Sequence, residues 1–293
     1  MSKNKYAESN IEIVKGSGER EIFSEKKLVS SLLRSGSSLA IAEHIVDEIK
    51  RLLHDGMHTS EIYKRAFQML RKQESFPVAY RYNLRNAMME LGPEGFVFEK
   101  FVGEIFKQQG YKVKVGIIMD GWCVEHEVDV SAKKGDTHVL VECKFHNSTG
   151  YKTDLKVALY VRERFQDIEK KHEHENPTGS RCHEGWLITN TKLTSKAIQY
   201  SECVGLKVVG WGYPKRGQGN LEDLVVQSGI YPVSLLFSLS KQQRHQLLQN
   251  GIVTCNQLIK NPAALAAIGI SNTKFTPILK EASDLCTSKI SVV

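Results

Sequence analysis

From position 25 onward the first part of the chain repeats its apolar residues every three or four places. Leu28, Leu32 and Leu33 mark one helix, Ile41, Ile45, Ile49, Leu52 and Leu53 a second, and Ile62, Ala66, Met69 and Leu70 a third. Ser24 precedes the first as a cap, and Thr59-Ser60 with Glu61 behind them open the third. Phe76-Pro77 ends that helix, and Val78 to Leu91 starts a fourth. Ahead of the helices, Ile11 to Val14 alternates as a short strand, Gly16-Ser17-Gly18 turns the chain, and Glu21 to Phe23 returns beside it. The expectation is a β-hairpin on a small helical bundle.

After Gly92-Pro93 the pattern changes. Phe96, Phe98, Phe101, Val102, Ile105 and Phe106 form the inward side of an amphipathic helix that Gly110 ends, and a strand starts near Tyr111. Two strands then alternate with period two. Residues 124–130 put Glu125, Glu127 and Asp129 on one face and Val124, Val128 and Val130 on the other. Residues 138–145 put Leu140, Glu142 and Lys144 opposite Val139, Val141, Cys143 and Phe145, and Lys133-Lys134-Gly135-Asp136 turns between the strands. A helix over about 154–171 carries Lys156, Arg162 and Arg164, and a strand-helix-strand run closes the segment near Trp211. The glycine- and proline-rich stretch 213–220 reads as a linker, followed by two helix-turn-helix patterns around Gly251 and Gly269. A helix start at Ser271 to Lys274 would aim N–H groups at a phosphate. The expected organisation is a flexible tail over 1–10, a hairpin-and-helix domain over 11–92, a central mixed-sheet α/β domain over 93–213, and a linker with a small α-helical domain over 214–293.

Composition adds constraints. The 293 residues include 40 Lys+Arg and 33 Asp+Glu, for a formal charge of +7. Residues 1–92 carry 15 basic and 12 acidic groups, 93–213 carry 17 of each, and 214–293 carry 8 and 4. Basic ends around a neutral, carboxylate-rich middle suit a polyanion-binding protein whose centre holds a cation, although a solvated surface can carry the same excess. No apolar run is long enough to span a bilayer, and the polar start lacks a secretory pattern, so a cytoplasmic protein without membrane partners is expected. Six cysteines form no C-x-x-C pair and read as reduced and mostly buried. His172, His174, Cys182 and His183 lack paired zinc-ligand spacing and read as a loop.

The chemistry concentrates on the central hairpin. If its strands pair, Asp129 and Glu142 come close enough to share a divalent ion, with the Cys143 carbonyl as a third oxygen. Lys144, on the face of Glu142, suits a water-orienting or charge-offsetting role in phosphodiester hydrolysis. An exposed polar face would explain the same residues without chemistry. His146, at the strand end, can reach a phosphate or stand exposed.

Two resemblances sharpen this. Val14-Lys15-Gly16-Ser17-Gly18, then Glu21, Phe23, Lys27-Leu28, residues 55–63 and residues 79–85, resemble the ATP-cone, a regulatory nucleotide-binding module. Gly16 and Ser17 depart from that pattern, which has an arginine and an acidic residue there. The resemblance implies ATP or dATP held by Lys15, Glu21, Ser24, Lys27, Thr59 and Arg81. Asp129 and Glu142-Cys143-Lys144, with Glu99 in the opening helix and Gly110-Tyr111 after it, resemble the Mrr-type branch of the PD-(D/E)XK nucleases. That implies a restriction-endonuclease-like core with Asp129, Glu142 and Cys143 as ligands of Mg²⁺ or Mn²⁺, Lys144 as catalytic lysine and Glu99 as an auxiliary group. The C-terminal pattern resembles helix-hairpin-helix modules through Ile268-Gly269-Ile270 and Lys274. The combined expectation is a metal-dependent restriction or defence endonuclease on double-stranded DNA, a homo-oligomer controlled by a nucleotide effector. The alternatives are a non-catalytic nucleotide-responsive DNA-binding regulator, or a nuclease acting on RNA.

Overall fold

The structure is a computed structural model, and it describes residues 10–16, 18–73, 76–175 and 183–287. Residues 1–9 of the expected tail over 1–10, Ser17 of the first turn and Cys182 lie outside the described residues. The chain divides into two compact units, one ending at Asn86 and the other running from Ala87.

The first unit opens with β1 (Glu12–Val14) and β2 (Arg20–Ile22), antiparallel as the hairpin pattern predicts. α1 (Glu25–Arg34) starts where Ser24 accepts the Lys27 N–H, and α2 (Leu39–Leu52) starts on a Ser38 cap. A short strand absent from the sequence reading, β3 (Met57–His58), pairs parallel to β1 with Ile13 against Met57. α3 (Thr59–Gln73) and α4 (Phe76–Tyr82) complete the bundle, while α5 (Leu84–Met89) crosses into the next unit. The expected fourth helix is therefore two, broken at Asn83, whose side chain accepts from the Tyr63 hydroxyl. Leu32, Ala42, Ile45, Ile49, Ala66 and Leu70 are fully buried at the centre.

The second unit is built on α6 (Gly95–Gln108), β4 (Lys112–Asp120), β5 (Glu125–Lys134) and β6 (Thr137–Lys144). After β7 (Lys152–Thr153) come α7 (Leu155–Glu175), β8 (His183–Thr189), β9 (Lys192–Leu193), α8 (Ser195–Val204) and β10 (Lys207–Val209). The main sheet has the order β10-β8-β6-β5-β4. β4, β5 and β6 run antiparallel, and β6, β8 and β10 run parallel. α6 covers one face, where Phe106 packs on Trp186, and α7 with α8 covers the other, where Leu187 joins Val161 and Phe165. Phe96, expected inward, is instead 48% exposed. His172 and His174 lie on α7, which ends four residues later than expected, and not in a loop.

One departure from simple alternation positions the chemistry. Val115 and Val130 are cross-strand partners on the α6 side, where Val115 lies against Gly103. Their neighbours Ile117 and Val128 belong to the cluster packed on α7. The two strands thus change face between these pairs, at Gly116 and Asp129. Gly116 absorbs the change with φ +62°, a conformation that L side chains adopt only with strain. The expectation that Val128 and Val130 share a face fails for this reason.

Beyond β10, α9 (Leu221–Ser228), α10 (Lys241–Gln249), α11 (Cys255–Lys260), α12 (Ala263–Ala267) and α13 (Phe275–Thr287) form the helical part. It is not a separate compact unit. The Ser234 hydroxyl donates to the Ala87 carbonyl at 2.7 Å, and Arg244 of α10 grips Glu90 with two bonds of 3.0 Å. Instead of a helix starting at Ser271, a 3₁₀ turn over Asn272–Lys274 leads into α13. Among the described residues no helix is long and apolar enough to cross a membrane.

Replacing Gly116 with alanine should lower stability by about 1–2 kcal/mol, the cost of a left-handed L-residue. A urea midpoint equal to that of the parent protein would show that the face change does not need glycine there.

Candidate active site

The β5–β6 hairpin turns through Gly135 and Asp136, with Lys134 paired to Thr137. From that turn the register runs to Val130 against Val141, and one step further it sets Asp129 against Glu142. There the ladder ends. The Cys143 N–H, which would otherwise bond to a β5 carbonyl, donates to Asp129 Oδ2 at 2.6 Å. In a strand, one residue's N–H and C=O point to the same neighbour, so the Cys143 carbonyl faces the same gap.

Glu99 of α6 adds a third carboxyl and Glu127 of β5 a fourth. Burial, then Glu142, raises Asp129 from the ordinary carboxylate range to about 7, against the opposing Cys143 N–H bond. Burial, then Glu127 and Glu142, raises Glu99 as well. This crowd of negative charge in a half-dry setting is the physical mark of a cation site. Among the described residues no three His, Cys, Asp or Glu side chains are placed to hold a metal unaided. The set that fits is two carboxylates and a backbone carbonyl, completed by water as hard cations accept.

α7 supplies what the sequence reading missed. The Tyr160 hydroxyl donates to Glu142 Oε1 at 2.8 Å, and Arg164 pairs with Oε2. Arg164 also donates to the Glu127 carbonyl at 3.2 Å and lies over the Tyr160 ring. Both oxygens of Glu142 are therefore engaged, and Arg164 acts on a carboxylate of the site. The available signal was the i,i+4 spacing of Tyr160 and Arg164, which puts them on one helix face.

Lys144 ends β6 beside Thr189 of β8, and among the described residues its ammonium makes no hydrogen bond or ion pair. His146 is committed elsewhere: its ring nitrogen bonds Thr153 at 3.0 Å and its N–H bonds Asn190. Arg162 stands 3.9 Å from Glu169, away from the carboxylates. His172 packs on His183, and His174 on Trp122.

In the first unit, Lys15 and Lys27 each reach Glu21 at 2.9 Å. Those bonds lower the Glu21 carboxyl against the effect of burial. Ser24 caps α1 in front of Lys27, and Thr59 begins α3. Arg81 is turned to the Ser35 carbonyl at 3.3 Å. Lys15 and Lys27 are thus brought together around the Glu21 carboxylate.

The restriction-endonuclease family matches residues 93–209, and the family described as AF1548-like, C-terminal, matches residues 231–286. An uncharacterized protein of Archaeoglobus fulgidus is 35% identical over 182 residues, covering 62% of this chain and 97% of that protein. The crystal structure of AF1548, a protein of unknown function, superposes with a TM-score of 0.52 at 31% identity over 66% of this chain and 98% of its own. MspJI restriction endonuclease bound to a 27-mer oligonucleotide aligns over 77% of this chain and 40% of its own, with a TM-score of 0.26 and 12% identity, too slight a likeness to argue from. The central segment is therefore a restriction-endonuclease domain followed by an AF1548-like C-terminal domain. Neither matched family reaches into residues 1–92.

Two outcomes follow for stability. A carboxyl whose folded value lies above its unfolded value loses stability as pH rises from about 4 to about 7. Asp129→Asn keeps an acceptor for Cys143 and removes that charge, so its thermal midpoint at pH 8 should exceed the parent's, and a lower midpoint would contradict the repulsion described. Arg164→Ala should cost about 2 kcal/mol, as for a charged hydrogen bond lost next to a mostly buried carboxylate. Urea unfolding at pH 8 would refute this if Arg164→Ala and Tyr160→Phe both left the midpoint in place.

Proposed function

The chain belongs to the AF1548-like family, and from its restriction-endonuclease domain we propose a metal-dependent endonuclease that hydrolyses phosphodiester bonds of double-stranded DNA. The observation that carries this reading is the desolvated carboxylate group of Asp129, Glu142 and Glu99 at the end of the β5–β6 ladder, with the ammonium of Lys144 uncommitted on the same strand. An exposed polar face would leave its carboxyls in their ordinary range.

Asp129, Glu142 and the Cys143 carbonyl would hold Mg²⁺ or Mn²⁺. Bound there, such an ion supplies Lewis-acid polarisation of the phosphate and a more acidic water. The chain's own residues do the rest. Glu142 is held in one orientation by the Tyr160 hydroxyl and Arg164, so its position is set before any ligand arrives. The Cys143 N–H fixes Asp129 in the same way. Lys144 is free to orient the attacking water or to meet charge growing on the phosphate oxygens. Glu99, whose proton affinity is raised by burial and its neighbours, is placed to accept a proton near the same point.

One observation favours the rival reading of a non-catalytic DNA-binding regulator: Arg164 already balances Glu142, as a retired site would permit. Plasmid cleavage separates the two. With Mg²⁺ the parent protein should nick or linearise DNA, EDTA should abolish this, and Asp129→Asn and Lys144→Ala should each lose about a hundredfold or more while still retaining DNA. DNA retained without cleavage by the parent under any divalent ion would favour the regulator, and cleavage confined to RNA would reassign the substrate.

For the first unit we propose that ATP or dATP binds where Lys15 and Lys27 converge, exchanging Glu21 for phosphate oxygens, with the α1 N-terminus behind Ser24 adding its dipole. Calorimetric titration of the full chain should show saturable ATP or dATP binding that Lys27→Ala weakens at least tenfold. Heat signals identical in the two proteins would remove the nucleotide from this surface.

A further inference from the structure

Phe96, which amphipathic spacing places on the inner side of α6, is 48% exposed at the start of that helix. Its ring edge reaches β4, where a Cβ on Gly116 would stand 3.9 Å away. Two places further along β4, Ile118 is 61% exposed. Its neighbours Ile117 and Met119 join the cluster packed on α7, so alternation puts Ile118 on the α6 side of the sheet, the side of Phe96. A lone exposed apolar side chain needs no explanation, but two large ones beside the same glycine form a patch that does.

That patch borders the carboxylate site. Glu99 follows Phe96 by three residues, and residues three apart are neighbours on a helix surface. Ile118 is the register partner of Glu127, whose charge acts on Glu99. The Lys100 ammonium stands over the Phe96 ring, 4.2 Å from its centroid, and among the described residues it makes no hydrogen bond or ion pair. The same ammonium lies 3.6 Å from the position a Cβ would take on Gly251, in the turn after α10. A strand leading from Glu99 toward that turn would pass over Phe96.

The chemistry of the patch narrows its occupant. Glu99 and Glu127 repel an acidic peptide or a free anion. Two side chains fall far short of the roughly 800 Å² per partner that a stable protein interface buries. A nucleotide within a strand matches each part. Its phosphates suit Lys100 and a cation held by Asp129 and Glu142, while its base is uncharged and flat, and packs on an aromatic ring whichever base it is.

We propose that Phe96, with Ile118 beside it, packs against a nucleobase next to the scissile phosphate, and that Lys100 meets an adjoining phosphate of the same strand. The proposal rests on the nuclease reading of the carboxylates and states how that site holds its substrate.

The test uses the full chain with DNA carrying 5-iodouracil in place of thymine, irradiated in the presence of Ca²⁺, with the cross-linked peptide mapped by mass spectrometry. Cross-links should map to Phe96, vanish in Phe96→Ala and persist in Phe96→Trp. In binding titrations followed by fluorescence anisotropy, Phe96→Ala should weaken DNA about tenfold, within the range of a lost base–aromatic stack. Lys100→Gln should make the affinity less dependent on salt. Ile118→Ser offers a second variant, with a smaller loss, if Phe96→Ala does not fold. Cross-links at Phe96 in a protein that cleaves nothing would keep this contact and remove the nuclease reading. Metal-dependent cleavage, with cross-links only elsewhere and with Phe96→Ala binding DNA as the parent does, would overturn the contact and leave the nuclease reading in place. A change of oligomer size in Phe96→Ala with DNA affinity unaltered would also overturn it, giving the ring to a second copy of the chain.

Discussion

The register of the β5–β6 hairpin is the constraint on which both ends of the second unit depend. Its tight turn at Gly135-Asp136 fixes Lys134 against Thr137, and every later pair follows. A slip of one residue would send Asp129 and Glu142 to opposite faces, because successive side chains alternate. The same register places Ser131 within reach of the His138 ring at the turn end, and Asp129 within reach of the Cys143 N–H at the open end. Val130, Ala132, Val139 and Val141, all buried between these ends, hold the register by packing.

Electrostatics then makes the two central carboxylates unequal. Glu142 faces α7, where a guanidinium and a phenol occupy its oxygens. Asp129 accepts a backbone N–H and feels Arg164 more weakly, while Glu99 approaches from the opposite helix with charge of the same sign. Placing one carboxylate in a built cradle and leaving its neighbour under-compensated is how a fold sets apart a fixed ligand from a responsive one. α7 continues well beyond this cradle. A helix that ended two turns sooner would still cover Val128 and Leu140, but it would not reach His172 against His183.

Much of this was legible in the chain. Period-two alternation, a Gly-Asp turn and carboxylates at matching distances from it were enough to bring Asp129 near Glu142, and the capping Ser24 marked α1. What escaped reading was non-local. β3 has only two residues, and its pairing with β1 depends on a contact 44 positions away, which no local pattern announces. The face change at Gly116 looks in sequence like one more glycine. Arg164 belongs to a helix of alternating charge, where its i,i+4 spacing from Tyr160 gains meaning through contact with Glu142 of β6. The stretch 213–220 misled for a different reason. Glycine and proline density suggested a flexible linker, yet Gly217 and Gly219, both at positive φ, aim their N–H groups at Asp223, 2.6 and 3.2 Å away. Glycine there provides the geometry of a pinned turn that leads into the capping box of α9, not slack.

That pinning bears on how the helical C-terminal part relates to the carboxylate site. With the connection from β10 fixed by Asp223, and Arg244 locked to Glu90 ahead of α6, the helices α10 to α13 cannot swing freely from the nuclease core. Arg244 is mostly buried, so separating α10 from residue 90 would leave its charge without the Glu90 carboxylate. The AF1548-like C-terminal domain is thus better understood as a fixed wall of the second unit than as a tethered module. Any polyanion meeting its basic residues would meet them at a set distance and angle from Asp129, with orientation supplied by the fold and not by the ligand.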